Sequence, residues 1–406
     1  MSTMVDDPRV VAPRAGLMGT LANYRTRIAQ GDIGQLPVLI GLVVIWLIFY
    51  AASGGTFVSP FNLVNLSLQM AAVGTIAVGV IFVLLLGEID LTVGIVSGLC
   101  AGVMAVLNVK MGLPGPLAVA AAVVSGTLIG LVQGLWITRF RIPSFVVTLA
   151  GLIGWQGALL YVLGSTGTIN LRDPFITSLA GTFFTGGVAV ALGAILVGYL
   201  VGVSYLVRMR RLAAGLDAEA MSALVIRSIF IAVFVAIAII ALTQDRGVPL
   251  SLVFLMGLIL LMDHIAKRTR FGRMVFAVGG NREAARRAGI PVQAVRVAVF
   301  ALASTFAAWG GVLAASRLLA VNQSAGSGDV LLNAIAAAVI GGTSLFGGRG
   351  TVWAALLGIL VIQSISNGMD LLSLDSSVKF MITGAVLLVA VTIDAIARRG
   401  RELAGA

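Results

Sequence analysis

Two carboxylates, Glu88 and Asp90, stand between long apolar runs in the stretch Gly87-Glu88-Ile89-Asp90-Leu91-Thr92-Val93-Gly94. Charge placed within apolar sequence of this length is costly and is usually functional. Such acids can carry a coupling proton or ion. They can equally organise a break in the chain by capping the helix that follows, where free amides favour a carboxylate. Glycines flank the pair and no basic partner stands near it in the sequence, which favours the second role. Glu88, Asp90 and Gly94 are therefore expected to form a helix break, and Gly342 and Gly347 in the glycine-rich stretch 341–350 a second one.

A different chemistry suits the uncharged polar residues set into apolar segments. Asn62, Asn65 and Gln69 recur at spacings of three and four, which puts them on one helix face. Trp155 with Gln156, and Asn322, Gln323 and Asn333, add further hydrogen-bonding groups at or near apolar segments. Such a set fits the path of a neutral polyol and would attract an ion poorly; each residue could equally bind a neighbouring helix.

Covalent chemistry finds little support. The lysines, Lys110, Lys267 and Lys379, are none of them followed by Ser or Thr, so no phosphate-cradling G-x-x-x-x-G-K-[ST] loop exists. The sole histidine, His264, reads as a solvated loop residue beside Asp263, and no metal-ligating or catalytic constellation converges in the apolar segments. No enzyme activity, cofactor or metal is expected on this chain.

The most polar long stretch is the loop 264–293. Asn281 can cap a helix, Glu283 suits its first turn, and Gly289 with Pro291 ends it. This predicts a short surface helix whose Ala284 and Ala285 form a flat face suited to docking on another subunit, or a helix that only anchors the loop at the interface.

The elements that hold these residues follow from composition. Hydrophobic residues make up 59% of the 406, charged residues 11%, and mean hydropathy is +1.08. Soluble domains carry roughly 25% charged residues, and their cores stop growing near ~250–300 residues. The solvent for this much apolar surface is lipid. Twelve candidate crossings lie near 37–53, 63–86, 91–107, 115–137, 144–164, 181–206, 228–243, 249–263, 294–316, 330–346, 351–369 and 378–396, several short or glycine-interrupted. The fold expected is all-α, a transmembrane bundle of about 10–12 helices, because lipid leaves the backbone no other partner and the runs do not alternate as barrel strands do. The net charge of +11 is ascribed to loops and not to a nucleic-acid partner. With twelve crossings and a cytoplasmic N-terminus, 20 of the 27 basic residues fall on one side and five on the other, so both termini are expected in the cytoplasm. The expected organisation is a cytoplasmic tail over 1–36 with no cleaved leader, a membrane domain over 37–396, and a tail over 397–406. Cys100, alone, forms no intrachain disulfide.

Four stretches together resemble one family. Glu283-Ala284-Ala285 with Gly289 looks like the loop by which importer permeases of the ATP-binding-cassette (ABC) class seat on their ATPase. Its surroundings, Thr269-Arg270-Phe271-Gly272-Arg273 through Gly280-Asn281 to Ala288-Gly289-Ile290, are similar to ribose/xylose-type sugar permeases. So are Glu88 through Gly94, Arg141-Ile142-Pro143-Ser144-Phe145, and Gly341-Gly342-Thr343-Ser344-Leu345-Phe346-Gly347-Gly348. A longer middle, between Gly164 and Ser251, resembles the xylose branch. The resemblance implies a permease subunit that passes a monosaccharide, a pentose such as xylose, through the cytoplasmic membrane. It further implies a second permease copy, a separate ATPase subunit holding ATP and Mg, and an extracytoplasmic sugar-binding protein. Glu283, Ala284, Ala285 and Gly289 would then form the ATPase contact. The alternative is a secondary carrier coupled to protons or sodium through Glu88 or Asp90, which has no need of a docking loop.

Overall fold

The computed structural model describes residues 36–216, 218, 220–385, 388 and 392; apart from Leu36, the expected tails lie outside them. Helices account for nearly all of the ordered backbone. They are α1 (Leu36–Ala52), α2 (Pro60–Leu85), α3 (Val93–Ala105, prolonged by a π turn to Lys110), α4 (Gly115–Phe140), α5 (Ser144–Leu163) and α6 (Pro174–Gly181). Then come α7 (Gly186–Ala213), α8 (Met221–Thr243), α9 (Leu250–Arg268), α10 (Arg270–Gly280), α11 (Arg282–Arg287), α12 (Val292–Leu318), α13 (Asp329–Ile340) and α14 (Trp353–Leu371). Among the described residues nine helices are long and apolar enough to cross a membrane. The chain is thus a polytopic helical bundle. The expected crossing at 378–396 begins as a helix over 376–385 and otherwise lies outside the described residues.

The chain divides into two compact units, and the larger comprises residues 35–183 and 249–396. Its centre is α12, which packs on α2, α3 and α4. Glycine permits this closeness. Gly126, Gly130 and Gly134 lay one face of α4 on Ser304 and Ala308, on Phe300 and Ala301, and on Val297 of α12. Between helices in lipid, close backbone approach and dispersion supply the attraction that the hydrophobic effect supplies in water. The smaller unit contains residues 184–248 and is a hairpin of α7 and α8, in which Gly193 admits Ile239 and Val235. Both hairpin helices are apolar yet mostly exposed, as expected of helices that face lipid.

Three elements depart from the sequence reading. The expected crossing at 330–346 is a helix only over Asp329–Ile340; 12 residues span about 18 Å, short of a hydrocarbon core near ~30 Å. It ends where Gly341 abuts the Ala354 backbone and Gly342 turns at φ +99°. Second, the basic stretch after α9 is not all loop: Thr269 caps α10 by accepting the Gly272 amide, and Val275 and Val278 are buried. Third, a small antiparallel strand pair joins Thr168–Asn170 to Ala320–Asn322, beside α6, whose first amides are capped by Asp173.

Candidate functional site

The surface helix α11 forms as its sequence suggests. The Asn281 side chain accepts the Ala284 amide at 2.9 Å, and Gly289 leaves the helix at φ +80°, a conformation that penalises any Cβ. Glu283 folds back along the helix, binding Arg286 at 2.6 Å and Arg287 at 3.8 Å. One expectation needs correcting. Ala285 is buried within the chain's own packing and is not part of an exposed alanine face; Ala284 and Ala288 are the exposed small residues. A six-residue helix lying on a bundle must turn one side inward, and Ala285 is on that side.

Beneath α11 lies Glu88, which has two basic partners although none stands near it in the sequence. Glu88 is 5% exposed, and its Oε1 accepts from Arg282 of α11 at 2.6 Å and from Arg296 of α12 at 2.7 Å. Both partners are remote in sequence, so scanning for neighbours could not find them. Glu88 therefore does not cap α3; it ties the surface helix and the central helix to the break after α2. Arg296 is nearly buried while Arg282 remains half exposed, so the pair has a dry side and a wet side.

Three glycine segments meet beside this tie. The Gly348 amide donates to the Leu85 carbonyl at the end of α2, at 2.9 Å. A Cβ on Gly347 would stand 2.8 Å from both the Gly279 carbonyl and the Gly87 amide, and one on Gly279 would collide with the Leu85 carbonyl. Gly87 and Gly347 hold φ of +69° and +87°. The break at 87–94, the end of α10 and the break at 341–350 are thus stacked backbone on backbone, which only glycine permits. Gly94 serves another contact, with the Gly326 carbonyl 2.7 Å from where its Cβ would be.

Asp90 lines a small apolar pocket with Val80, Leu84, Ile335 and Leu345. Its Oδ1 accepts from the Thr92 amide at 2.8 Å and the Thr92 hydroxyl at 2.6 Å, closing a local turn and leaving the first amides of α3 uncapped by it. Burial pushes the Asp90 carboxyl above its usual range, against the opposing pull of the two Thr92 bonds. Thr92 in turn contacts the Gln133 side chain at 3.1 Å. Sequence reading passed over Gln133, a lone amide among the α4 glycines; that isolation in an apolar helix was the available signal.

The residues suggested for a substrate path do not form one cluster. Asn62 is buried and directs its amide protons to the Phe57 carbonyl and to Asn367 Oδ1, both at 2.7 Å, so it joins α2 to α14. Asn65 and Gln69 lie half-buried on the same helix. Asn333 is buried and reaches Asp329 at 3.4 Å. Gln156 donates to the Gln323 carbonyl at 3.4 Å, next to Asn322, whose side chain caps the Ser324 amide. Trp155 faces Gln133 and Thr92 across Gly151.

Residues 62–391 match the family described as branched-chain amino acid transport system / permease component. The chain is 38% identical to the xylose transport system permease protein XylH of Escherichia coli (strain K12) over 366 residues, 90% of this chain and 93% of that protein. It is 30% identical to the ribose import permease protein RbsC of Bacillus subtilis (strain 168), covering 90% of this chain and 94% of that protein. The L-arabinose ABC transporter permease protein AraH of Azospirillum brasilense is 29% identical, with 92% of each chain covered. No solved structure matches.

Proposed function

This chain belongs to that permease family, and on this premise we propose that it is the membrane-spanning subunit of an ABC importer for a monosaccharide, a pentose such as xylose. The observation that carries the reading is the 38% identity to a xylose permease along nine-tenths of the chain. The tie from α11 through Glu88 to α12 supports it, since an importer whose ATP is hydrolysed elsewhere needs a rigid link from its surface to its core.

In this reading α11, with Glu283, Ala284 and Gly289, seats on a separate ATPase subunit that holds ATP and Mg; Ala285 supports it from within. Both termini and the loop 264–293 face the cytoplasm, an extracytoplasmic binding protein delivers the sugar, and a second copy of the chain completes the path. Movement of α11 pulls on Glu88, and the glycine junction lets the breaks at 87–94 and 341–350 shift together. The chain itself makes and breaks no covalent bond.

Reconstitution tests the reading. Proteoliposomes holding the permease, its ATPase and its binding protein should take up labelled xylose only with ATP, and a protonophore at constant ATP should not reduce uptake. Uptake that needs the proton gradient and not ATP would overturn it in favour of a carrier coupled through Glu88 or Asp90. A cysteine placed at Ala277, exposed on α10, should be labelled only from the cytoplasmic side.

A further inference from the structure

The buried polar groups around Gly151 are not balanced. Thr92 Oγ1 carries one proton and lies 2.6 Å from Asp90 Oδ1 and 3.1 Å from the Gln133 amide. One proton cannot serve both acceptors. Gln133 is 3% exposed and Asp90 4%, yet among the described residues Gln133 Nε2, Asp90 Oδ2 and Trp155 Nε1 are buried with no hydrogen-bond partner. An unmatched buried polar atom costs about 1–3 kcal/mol, so Gln133 Nε2 and Trp155 Nε1, both beside Gly151, call for a ligand or for bound solvent.

Their placement is specific. A Cβ on Gly151 would come within 3.0 Å of Gln133 Nε2, 3.2 Å of Trp155 Nε1 and 2.9 Å of the Thr92 methyl. Two N–H donors therefore flank the bare Cα of Gly151, and Thr92 links this pair to the Asp90 carboxyl. Trp155 is only half-buried, so part of its ring is exposed on α5 beside Gly154 and Gly157, while its Nε1 points inward and is buried.

We propose that Gln133 and Trp155, gathered around Gly151 and Thr92, form a hydroxyl-binding subsite within the permease that takes a neutral polyol in transit. The indole N–H and the Gln133 amide meet vicinal hydroxyls. A cation would find a poor site here, because both free groups are N–H donors and neither carries a charge. The proposal rests on the sugar-importer reading and adds that the permease itself recognises hydroxyls, beyond the selection made by a binding protein.

The test uses the complete reconstituted importer with xylose and xylose analogues each lacking one hydroxyl. Trp155→Phe keeps the ring and loses the N–H; Gln133→Leu keeps the volume and loses the amide. Each should lower the turnover for xylose about tenfold, leave the KM for loaded binding protein unchanged, and shrink the preference for xylose over at least one deoxy analogue. Three outcomes would overturn the subsite: unchanged turnover and preference, a rise in KM alone, or equal losses for xylose and every analogue. The last is what a Gln133 carbonyl bonded to the indole in a purely structural pair would give. A wild-type importer that moves no sugar condemns the importer reading itself, and is seen before any variant is made.

Discussion

The two ends of the larger unit are built differently. At one end, segments far apart in sequence meet through a shared carboxylate and stacked glycine backbones: Glu88 with Arg282 and Arg296, and Gly87 with Gly279 and Gly347. At the other, a helix cap and a short strand pair hold the loops. Asp173 caps α6 and accepts the Gly115 amide at 3.1 Å, and the strand pair fastens 168–170 to 320–322. Around Asp173 lies an open pocket of about 660 Å³ shared with Asn108, Lys110 and Arg172. The first arrangement joins a surface helix, the central helix and two helix breaks, as transmission of displacement in the proposed importer requires. The second fixes loops in place.

The largest expected effect comes from breaking the carboxylate. Glu88→Ala leaves Arg296 almost buried without its anion, and removing one partner of such a pair costs about 3–5 kcal/mol. A melt of the purified protein should show this loss, together with loss of ATP-driven uptake. Glu88→Leu combined with Arg296→Met should recover most of the stability, since a packed apolar pair can replace a buried ionic one, but not the uptake.

Next in size is Gly279→Ala. Its methyl must displace the Leu85 carbonyl, and overpacking of this kind costs about 1–3 kcal/mol. Uptake should fall well beyond what the melt accounts for, because the junction's spacing changes. Gly280→Ala, whose Cβ meets nothing within 4 Å, is the matched control and should behave nearly as wild type.

On α11, Ala284→Asp and Gly289→Val should leave insertion intact and prevent co-purification of the ATPase. Ala285→Asp, by contrast, buries a charge in the bundle and should lower the melting temperature before it affects docking.

The smallest effect belongs to the far end. Asp173→Ala should cost about 1 kcal/mol, the usual value of an N-cap, with ATPase association unchanged. Burial pushes the Asp173 carboxyl up, but hydrogen bonds from Ile176, Asn108, Phe175 and Gly115 outweigh it and hold the group below its usual range. Its stabilising contribution is therefore complete above the ordinary carboxylate range and lost only as pH falls through the lowered value. Melts between pH 5 and 8 should show no dependence on this residue.

These contrasts mark what the sequence made legible. Crossings such as Pro60–Leu85 and Val292–Leu318 announce themselves by length and hydropathy, and α11 by its cap, first-turn acid and terminal glycine, all of them local signals. The ion pairs of Glu88, the convergence of Gly87, Gly279 and Gly347, and the inward turn of Ala285 depend on tertiary packing, which no window along the chain contains. The half-length of α13 was hidden because Thr343, Leu345 and Phe346 extend its apolar run past the glycine that ends it. Gln133 was hidden for the opposite reason, as one polar residue among many small ones.

Coupling of the surface helix to the core through Glu88 is probed best at Arg282, which sits on the wet side, where an ion pair is worth only about 0–1 kcal/mol to stability. The measurement is a double-mutant cycle of Arg282→Ala and Glu88→Gln on ATP-driven sugar uptake in proteoliposomes, with ATPase association checked for each variant. Arg282→Ala should keep its ATPase and its melting temperature, lose about tenfold in uptake, and add nothing further in the Glu88→Gln background. Wild-type uptake by Arg282→Ala, or losses that simply multiply in the double variant, would contradict this coupling.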